Sequence, residues 1–354
     1  MKSNLAAGAN PPLLYICNND GSDPRVAKEV RTLSRAYDVH FLGTGAEGRG
    51  SFVRSHCASF SLVPGSARSV KSLLRLLGRV VMARIQRRPT SIHVVDEQML
   101  AVLWPALLGQ PVVLDVFDSL FLRINKPNNR FWLAKAFLYA FASRIIVTDE
   151  YRRDLLARFA KPKSIVIPNV PPKSVAPRVT KQWGESLTLG YFGSLAEGRG
   201  TKLVRELLSM NPDIKVLCAG WVADEPSRVL TEHPNVTFLG VVDQATANEI
   251  IARDVDYLVA VYPRGNLNNY YASPNKLYDA IHTGTPLIIG DNVKVSEFVE
   301  TNGLGLVLDH ELSSDPLRLG ELLKKRRRDF TIGTELIEIH CWERYEDELI
   351  ALHR

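Results

Sequence analysis

Short apolar runs alternate with longer amphipathic stretches along most of the 354 residues of this chain. Apolar runs bounded by glycine, asparagine or proline predict buried strands, and the amphipathic stretches between them predict helices. Strands that alternate with helices favour parallel sheets, so the pattern predicts an α/β fold of the doubly wound, Rossmann-like type. The predicted strands cover residues 13–17, 39–43, 92–96, 111–118, 143–148, 164–169, 187–194, 214–220, 236–241, 256–262 and 286–290.

A proline-rich stretch that is poor in core residues interrupts this pattern near the middle of the chain. Such a composition is typical of a linker between domains. We therefore predict a first domain over residues 1–170, a linker over 171–186 and a second domain over 187–334. The remaining residues, 335–354, are predicted to form a last helix.

A short helix with a binding site at its start is predicted after the strand at 256–262. Ser273 is a favoured N-cap residue, and Pro274 suits the first helical position. Gly284 can take the left-handed conformation that ends a helix, so the helix is predicted to begin at Pro274 and to end near Gly284. The site then lies at the carboxyl end of a strand, where open α/β sheets hold their ligands.

The first turn of this helix favours an anion. The backbone N–H groups of Asn275 and Lys276 lack partners within the helix, and the helix dipole attracts phosphate there. Asp279 lies on the same face, so phosphate could meet the amides while ribose hydroxyls meet the carboxylate, and Leu277 faces the sheet. The alternative is an ordinary surface helix in which Lys276 and Asp279 only pair with each other.

A second candidate phosphate loop follows the strand at 187–194, where Gly193 and Ser194 lead into a further glycine-bearing turn. Glycines let a ligand approach the backbone closely, and Arg199 and Lys202 beside the next helix supply charge for a diphosphate. The combination of strand, glycine loop and helix is common, so this pattern alone is a weak signal.

The overall composition, 45% hydrophobic and 23% charged, is that of an ordinary globular protein and excludes disordered and fibrous classes. The start of the chain has no apolar signal-peptide core, and no run approaches the ~18 apolar residues that span a bilayer. We therefore expect a cytoplasmic protein. The four cysteines are widely scattered without metal-ligand spacing, so we expect reduced, structural cysteines and no metal site.

The net charge is +6, and residues 66–88 carry basic side chains interleaved with leucine, valine and isoleucine and no acidic residue. This pattern predicts a basic amphipathic helix, either packed on the first sheet by one stripe or also in contact with anionic lipid. A second mixture of aromatic and basic residues, 121–135, could lie at the same interface. We expect peripheral contact with the inner face of the plasma membrane. No nucleic-acid module is present, so we expect no nucleic-acid partner.

The string SPNKLYDAIHTGTPLII, residues 273–289, resembles the C-terminal signature of family 4 retaining glycosyltransferases of the GT-B fold. That fold has two Rossmann-like domains facing a central cleft and a C-terminal helix that crosses back to the N-terminal domain. Asp279 matches the second glutamate of the signature, while Tyr271 stands where the first glutamate, which touches the donor sugar, is expected. In the glycine loop, Ser194 replaces the usual arginine and Arg199 matches the lysine; Arg264 or Lys202 could supply the missing cation.

The resemblance implies an acceptor-binding first domain and a nucleotide-sugar-binding second domain. Where the family often has a histidine this chain has Asp118, our candidate for the base that activates the acceptor, with Asp96 and Glu97 near the same sheet edge. Arg199 and Lys276 are the expected catalytic cations. The expected contacts with the nucleotide sugar are Gly193, Ser194, Arg199, Lys202, Val241, Tyr271, Ser273, Pro274, Asn275, Lys276, Leu277 and Asp279.

The implied function is a retaining, hexosyltransferase-like glycosyltransferase in bacterial cell-surface polysaccharide or glycolipid synthesis. It would move a sugar from a UDP- or GDP-linked donor to a saccharide or lipid-linked acceptor, with no resident cofactor. Two alternatives stay open at this point. A nucleotide-sugar 2-epimerase shares the GT-B architecture, and the departures at Tyr271 and Ser194 are compatible with a non-catalytic sugar-nucleotide-binding subunit.

Overall fold

The computed structural model describes residues 10–46, 51–65, 69–117, 119–123, 132–173 and 184–354, without the side chains of Ser51, Phe52 and Trp132. The chain divides into two compact units. The N-terminal unit contains residues 1–169 and 345–354, and the C-terminal unit contains residues 170–344. Among the described residues, no helix combines the length and apolar character needed to cross a bilayer.

The N-terminal unit is built on a seven-stranded sheet in the order β3-β2-β1-β4-β5-β6-β7, with parallel pairing throughout. Its strands are β1 (Pro12–Ile16), β2 (Asp38–Thr44), β3 (Ser59–Val63), β4 (Ser91–Val95), β5 (Val112–Val116), β6 (Arg144–Val147) and β7 (Ser164–Val166). Its helices are α1 (Pro24–Leu33), α2 (Ser51–Arg54), α3 (Val70–Arg87), α4 (Glu97–Leu107), α5 (Leu120–Arg123), α6 (Trp132–Phe141) and α7 (Glu150–Asp154). The central strands are apolar and fully buried, as expected for a parallel sheet covered on both faces.

The C-terminal unit repeats this plan with six parallel strands in the order β10-β9-β8-β11-β12-β13. Its strands are β8 (Thr188–Leu195), β9 (Lys215–Val222), β10 (Val236–Phe238), β11 (Tyr257–Ala260), β12 (Leu287–Gly290) and β13 (Gly305–Leu308). Its helices are α8 (Thr201–Met210), α9 (Glu225–Thr231), α10 (Gln244–Asp254), α11 (Leu267–Tyr270), α12 (Asn275–Thr283), α13 (Ser296–Thr301), α14 (His310–Ser313), α15 (Pro316–Lys325) and α16 (Glu335–Ile339). Strand order reverses between β8 and β11, which is where such sheets bind ligands.

The end of the chain differs from the single helix predicted over residues 335–354. It contains α16, a 3₁₀ turn at Trp342–Arg344 and a last helix, α17 (Glu346–Ala351). Only residues 345–354 belong to the N-terminal unit, where α17 packs on α1 and the Tyr37 hydroxyl donates a hydrogen bond to the Ile350 carbonyl. Of the predicted linker, only 171–173 and 184–186 lie within the described residues.

The start of the site helix also differs from the prediction. Pro274, with an extended backbone, is the N-cap of α12, so Ser273 lies before the cap and Pro274 is not the first helical residue. A proline at the cap fixes the backbone but offers no side-chain acceptor to the first turn. The predicted end is confirmed, because Gly284 adopts the left-handed conformation at a φ of 70°.

Candidate functional site

The candidate site lies at the carboxyl ends of β8 and β11, at the reversal of strand order in the C-terminal unit. The chain leaves β8 through a 3₁₀ turn, Glu197–Arg199, and leaves β11 through the segment that begins at Val261. A Cβ atom on Gly198 would lie 3.1 Å from the Pro263 Cγ atom, so the glycine lets these two segments pack together. The two loops therefore form one continuous rim at the sheet edge.

The amino end of α12 belongs to the same region, because Lys276 reaches back to Gly193 in β8. A Cβ atom on Gly193 would lie 3.1 Å from the lysine Nζ atom. Gly193 also has a φ of 103°, a conformation that other residues rarely adopt. The glycine at this position thus provides both the backbone geometry and the space for the lysine head.

No side chain caps the first turn of α12. The contrast is α10, where the N-cap Asp243 accepts a hydrogen bond of 2.9 Å from the Thr246 amide. The helix dipole places partial positive charge at the start of α12. That charge adds to the charge of Lys276, and both favour an anion at this end of the helix.

Lys276 is half-buried and, within the described part of the chain, takes part in no salt bridge. Burial lowers the pKa of Lys276, because desolvation disfavours the charged form; Asp279 opposes this shift and Arg199 adds to it. A desolvated ammonium without a salt bridge is costly in free energy. Binding an anion would relieve that cost, so the lysine is poised for a negatively charged ligand.

Arg199 is the second cation of the rim. Its guanidinium carbon lies 5.7 Å from the centre of the Tyr262 ring, a cation–π contact that orients the side chain. Burial raises the pKa of Tyr262 to about 12, against the opposing effect of Arg199, so the phenol is neutral near pH 7. No salt bridge of Arg199 occurs among the described residues either. Two cations without a carboxylate partner therefore converge on the strand ends.

Asp279 is the acidic member of this cluster, one helical turn beyond Lys276. It is 8% exposed, and its Oδ1 atom accepts a hydrogen bond of 2.7 Å from the Gln244 side-chain amide. Asp279 and Lys276 form no salt bridge within 4.0 Å in the described structure. The two residues therefore form no direct ion pair, although Asp279 still favours the charged form of Lys276.

The two cations considered as replacements for the missing arginine are already paired. Arg264 forms a salt bridge with Asp291, and Lys202, whose side chain is 66% exposed, lies 3.9 Å from Glu206 along α8. Lys276 and Arg199, in contrast, form no salt bridge among the described residues. The structure thus brings together Gly193, Arg199, Lys276 and Asp279 of the predicted contacts and leaves Lys202 on the helix surface.

The remaining predicted contacts have mixed positions. Val241 is 60% exposed beside Gly240, whose carbonyl accepts a hydrogen bond of 2.8 Å from the Gly220 amide in β9. Leu277 is buried in the core of the unit, so its side chain supports the helix from below. The others are as follows: Ser194, Tyr271 and Ser273 are half-buried, Pro274 is buried and Asn275 is exposed.

In the N-terminal unit, Asp118 lies outside the described residues. Glu97 is fully buried and accepts hydrogen bonds from the Leu120 amide, the Ser119 hydroxyl and the Tyr139 hydroxyl, so it anchors the backbone after β5. Asp96, with a φ of 70°, accepts a hydrogen bond of 3.0 Å from the Asn18 amide group.

The same unit holds a buried charged cluster that the sequence did not predict. Ligand-type atoms of Glu29, His93 and Asp115 lie within 4.8 Å of one another, an arrangement compatible with a metal ion. However, Arg25 already supplies a cation there, because its guanidinium bonds Asp115 at 2.9 and 3.0 Å and lies 3.0 Å from Glu29. This cluster is an internal ion-pair network, and we call it the Arg25 network.

Gln244 and Tyr262 are the site residues that the sequence did not single out. Tyr262 ends the apolar run at 256–262, so its place at a strand end was a usable signal. Gln244 follows an N-cap at the start of another helix, and nothing in the spacing of the sequence connects it to Asp279.

No protein-family model and no curated protein matches the sequence. Solved structures match its fold over nearly the whole length. Sucrose-phosphate synthase from Thermosynechococcus elongatus is 15% identical, with a TM-score of 0.71 over 97% of this chain and 98% of that one. HepE from Anabaena, in complex with UDP and glucose, is 13% identical, with a TM-score of 0.72 over 97% and 99% of the two chains.

A UDP-N-acetylglucosamine 2-epimerase is also similar, at 13% identity and a TM-score of 0.62 over 97% of this chain and 95% of that one. These likenesses confirm the predicted GT-B fold, with one seven-stranded and one six-stranded parallel α/β unit. Identities this low establish the fold alone.

Proposed function

We propose that this protein is a glycosyltransferase that binds the diphosphate of a nucleotide sugar between Lys276, Arg199 and the start of α12. The observation that carries the proposal is the pair of cations, half-buried Lys276 and exposed Arg199 over the Tyr262 ring, that have no salt bridge among the described residues. Charges that stabilise a fold are normally compensated within it. Charges held uncompensated at a ligand-binding strand edge call for an anion from outside.

The geometry suits the chemistry of sugar transfer. As the bond between the sugar and the diphosphate breaks, negative charge grows on the departing phosphate, and fixed positive groups lower the barrier. Lys276, Arg199 and the helix dipole provide such groups, while Asp279 is placed one turn further along α12 to accept hydrogen bonds from ribose hydroxyls. Retention through front-face attack, with the phosphate helping to take the acceptor proton, is part of the proposal.

A uridine-linked hexose is the donor that we favour, with a GDP-linked sugar as the second choice. Support comes from similar structures, since HepE structures contain UDP, UDP with glucose, or UDP-glucose. The sugar end of the site departs from the expected pattern, because Tyr271 offers a phenol and no carboxylate. Donor selectivity therefore depends on residues other than the usual glutamate.

Thermal unfolding with UDP-, GDP- and ADP-linked sugars tests donor binding, because a ligand that binds only the folded chain raises its apparent stability. We expect Arg199→Ala to weaken binding of the preferred donor by about 1.5–3 kcal/mol, the range for hydrogen bonds to charged groups. Arg264→Ala is the matched control, because Arg264 is paired with Asp291 and should leave binding nearly unchanged. Equal losses in both variants would contradict the assignment of the diphosphate site.

The acceptor is proposed to be a saccharide or a lipid-linked saccharide in bacterial cell-surface polysaccharide or glycolipid synthesis. Asp118 stays the proposed acceptor-activating base. The lipid-linked option is supported by α3, which buries Leu76 and Val80 and exposes Leu74 and Ile85 at 64% and 66%. Exposed basic side chains lie on the same helix: Lys71, Arg75, Arg79 and Arg87.

Membrane contact through residues 66–88 is tested by sedimentation with vesicles. Each basic residue near an anionic surface contributes about 1 kcal/mol, so Arg75→Glu with Arg79→Glu should lower partitioning by at least about tenfold. Arg318→Glu, at an exposed position of α15 in the C-terminal unit, is the control. Equal recovery of the wild-type protein with neutral and with phosphatidylglycerol vesicles would contradict a peripheral membrane location.

A nucleotide-sugar 2-epimerase is the second candidate, favoured by the fold similarity to UDP-N-acetylglucosamine 2-epimerases. Incubation with the donor alone separates the two activities. Epimerised sugar nucleotide would overturn the transferase proposal. Binding of the donor without turnover, with any of a panel of acceptors, would instead support a non-catalytic binding subunit.

A further inference from the structure

We propose that Gln244 is a positioning residue that holds the Asp279 carboxylate away from Lys276, so that the two groups serve different parts of the ligand. The inference rests on the proposed function, because it assigns separate roles in nucleotide binding to Asp279 and Lys276. Lys276 and Asp279 are three residues apart on α12, a spacing at which side chains are neighbours and opposite charges can pair. In this chain they do not form a salt bridge.

Gln244 accounts for the separation. Its side-chain amide donates a hydrogen bond of 2.7 Å to the Oδ1 atom of Asp279. A hydrogen bond from a neutral amide to a carboxylate stabilises the charged form without adding a charge of its own. The Oδ1 atom of Asp279 therefore has a neutral donor, and in the proposal the ammonium of Lys276 is left for the diphosphate.

The position of Gln244 is fixed by the start of α10. Asp243 caps this helix by accepting hydrogen bonds from the Thr246 amide at 2.9 Å and from its hydroxyl at 3.0 Å. Gln244 is the first residue of the helix, and α10 packs against α12. A glutamine at this position therefore reaches Asp279 from a backbone that the cap has already ordered.

Loss of this hydrogen bond has a specific consequence. Without the Gln244 amide, the Asp279 carboxylate would turn towards Lys276 and pair with it. The ribose would lose its acceptor, and the diphosphate would lose its cation. The effect on the diphosphate is separable from the effect on the ribose, because inorganic pyrophosphate contains no ribose.

The test is calorimetric titration of inorganic pyrophosphate, and of UDP, into four proteins: wild type, Gln244→Met, Asp279→Asn and the double variant. Methionine keeps the length of glutamine and removes its hydrogen-bond donor. We expect Gln244→Met to weaken pyrophosphate binding about tenfold, which corresponds to ~1.4 kcal/mol. In the Asp279→Asn background the same change should have no effect, because no carboxylate remains to pair with Lys276.

The pH dependence provides a readout that a merely structural role would not change. In the wild type, pyrophosphate affinity should fall at alkaline pH as Lys276 loses its proton, at a pH below that of an ordinary lysine because burial lowers the pKa of Lys276. In Gln244→Met, pairing with Asp279 raises the pKa of Lys276, so the fall should move to higher pH. Glu249→Gln, an exposed residue on the same helix, is the control for substitution in α10.

The outcomes distinguish this inference from the function on which it rests. Suppose that the wild type binds both ligands. The role of Gln244 alone would then be overturned if Gln244→Met leaves pyrophosphate affinity unchanged, or if Gln244→Met lowers that affinity equally in the wild-type and Asp279→Asn backgrounds. A wild type that binds neither ligand would overturn the proposed function and this inference with it. If Gln244→Met does not fold, Gln244→Asn provides the same comparison, because its shorter amide keeps the polarity but does not reach Asp279.

Discussion

Two groups of charged residues, one in each unit, differ in how their charges are compensated. In the Arg25 network, one guanidinium meets two carboxylates, and all of these side chains are fully buried. In the C-terminal unit, Lys276 and Arg199 lie at a strand edge without a salt bridge among the described residues. A buried charge with its counter-ion inside the fold serves structure, whereas an uncompensated charge at a ligand-binding edge serves binding.

The Arg25 network compensates Glu29 internally, whereas burial keeps the pKa of Asp115 well above its ordinary value despite the bonds from Arg25. Burial alone would raise the pKa of Glu29, yet Arg25, the nearby His93 ring and a hydrogen bond from Tyr15 hold it well below its usual value. The Tyr15 hydroxyl donates to Glu29 at 2.6 Å, and His93 continues the network to His353 at 3.2 Å. The network therefore joins α1, β1, β4 and the C-terminal residues of the same unit.

Removing the cation of the Arg25 network gives the largest effect that the comparison predicts. Arg25→Met leaves Glu29 and Asp115 buried without a positive partner, and breaking a buried pair in this way costs about 3–5 kcal/mol of unfolding free energy. Urea denaturation measures the loss. Arg35→Met is the matched control, because Arg35 forms an exposed salt bridge with Glu346 and should cost less than about 1 kcal/mol. Equal costs would show that the network is not a structural centre.

A smaller effect is expected at the edge of the network, where burial beside His93 holds the pKa of His353 well below its ordinary value. The folded chain keeps this histidine neutral, whereas the unfolded chain binds a proton below about pH 6.5. The contribution of His353 to the free energy of unfolding is therefore fully present above that pH, and below it falls by up to about 1.4 kcal/mol per pH unit. We expect the free energy of unfolding of His353→Gln, measured by urea denaturation between pH 5 and 7, to change less steeply with pH than that of the wild type. The matched control is His310→Gln, at an exposed position, which should keep the wild-type pH dependence.

The smallest predicted effect concerns the start of α12. Because Pro274 is the N-cap, Ser273→Ala should cost less than about 0.5 kcal/mol, below the ~1 kcal/mol typical of a lost cap. Asp243→Ala removes a working cap from α10 and should cost about 1 kcal/mol. If Ser273→Ala lowers the free energy of unfolding as much as Asp243→Ala does, Ser273 caps α12 as the sequence predicted.

Much of the fold could be predicted because its determinants are local. Apolar runs marked the strands, and the signature at 273–289 located the helix with Lys276 and Asp279. The failures came where local rules competed. Ser273 and Pro274 are both good residues for a helix start, and the chain used the proline as the cap. The predicted last helix is divided, because residues on either side of Tyr345 belong to different units.

Contacts between residues that are far apart in the chain could not be predicted from the sequence. Arg25 meets Asp115 across 90 residues, and Gln244 meets Asp279 across 35. Neither contact follows from periodicity or spacing, because the sheet order decides which strand ends become neighbours. For the same reason the sequence offered Arg264 and Lys202 as replacement cations, and only the structure shows that both are already paired.

The most direct test of the account compares Lys276→Met with the wild type in UDP titration and in urea denaturation on the same samples. Lys276 is a desolvated cation without a salt bridge, so we expect its removal to lower UDP affinity by about 1.5–3 kcal/mol while stability stays equal or rises. That combination is the reverse of the one predicted for Arg25→Met. Unchanged UDP affinity together with a clear loss of stability would contradict the central claim that this cation is held for a ligand.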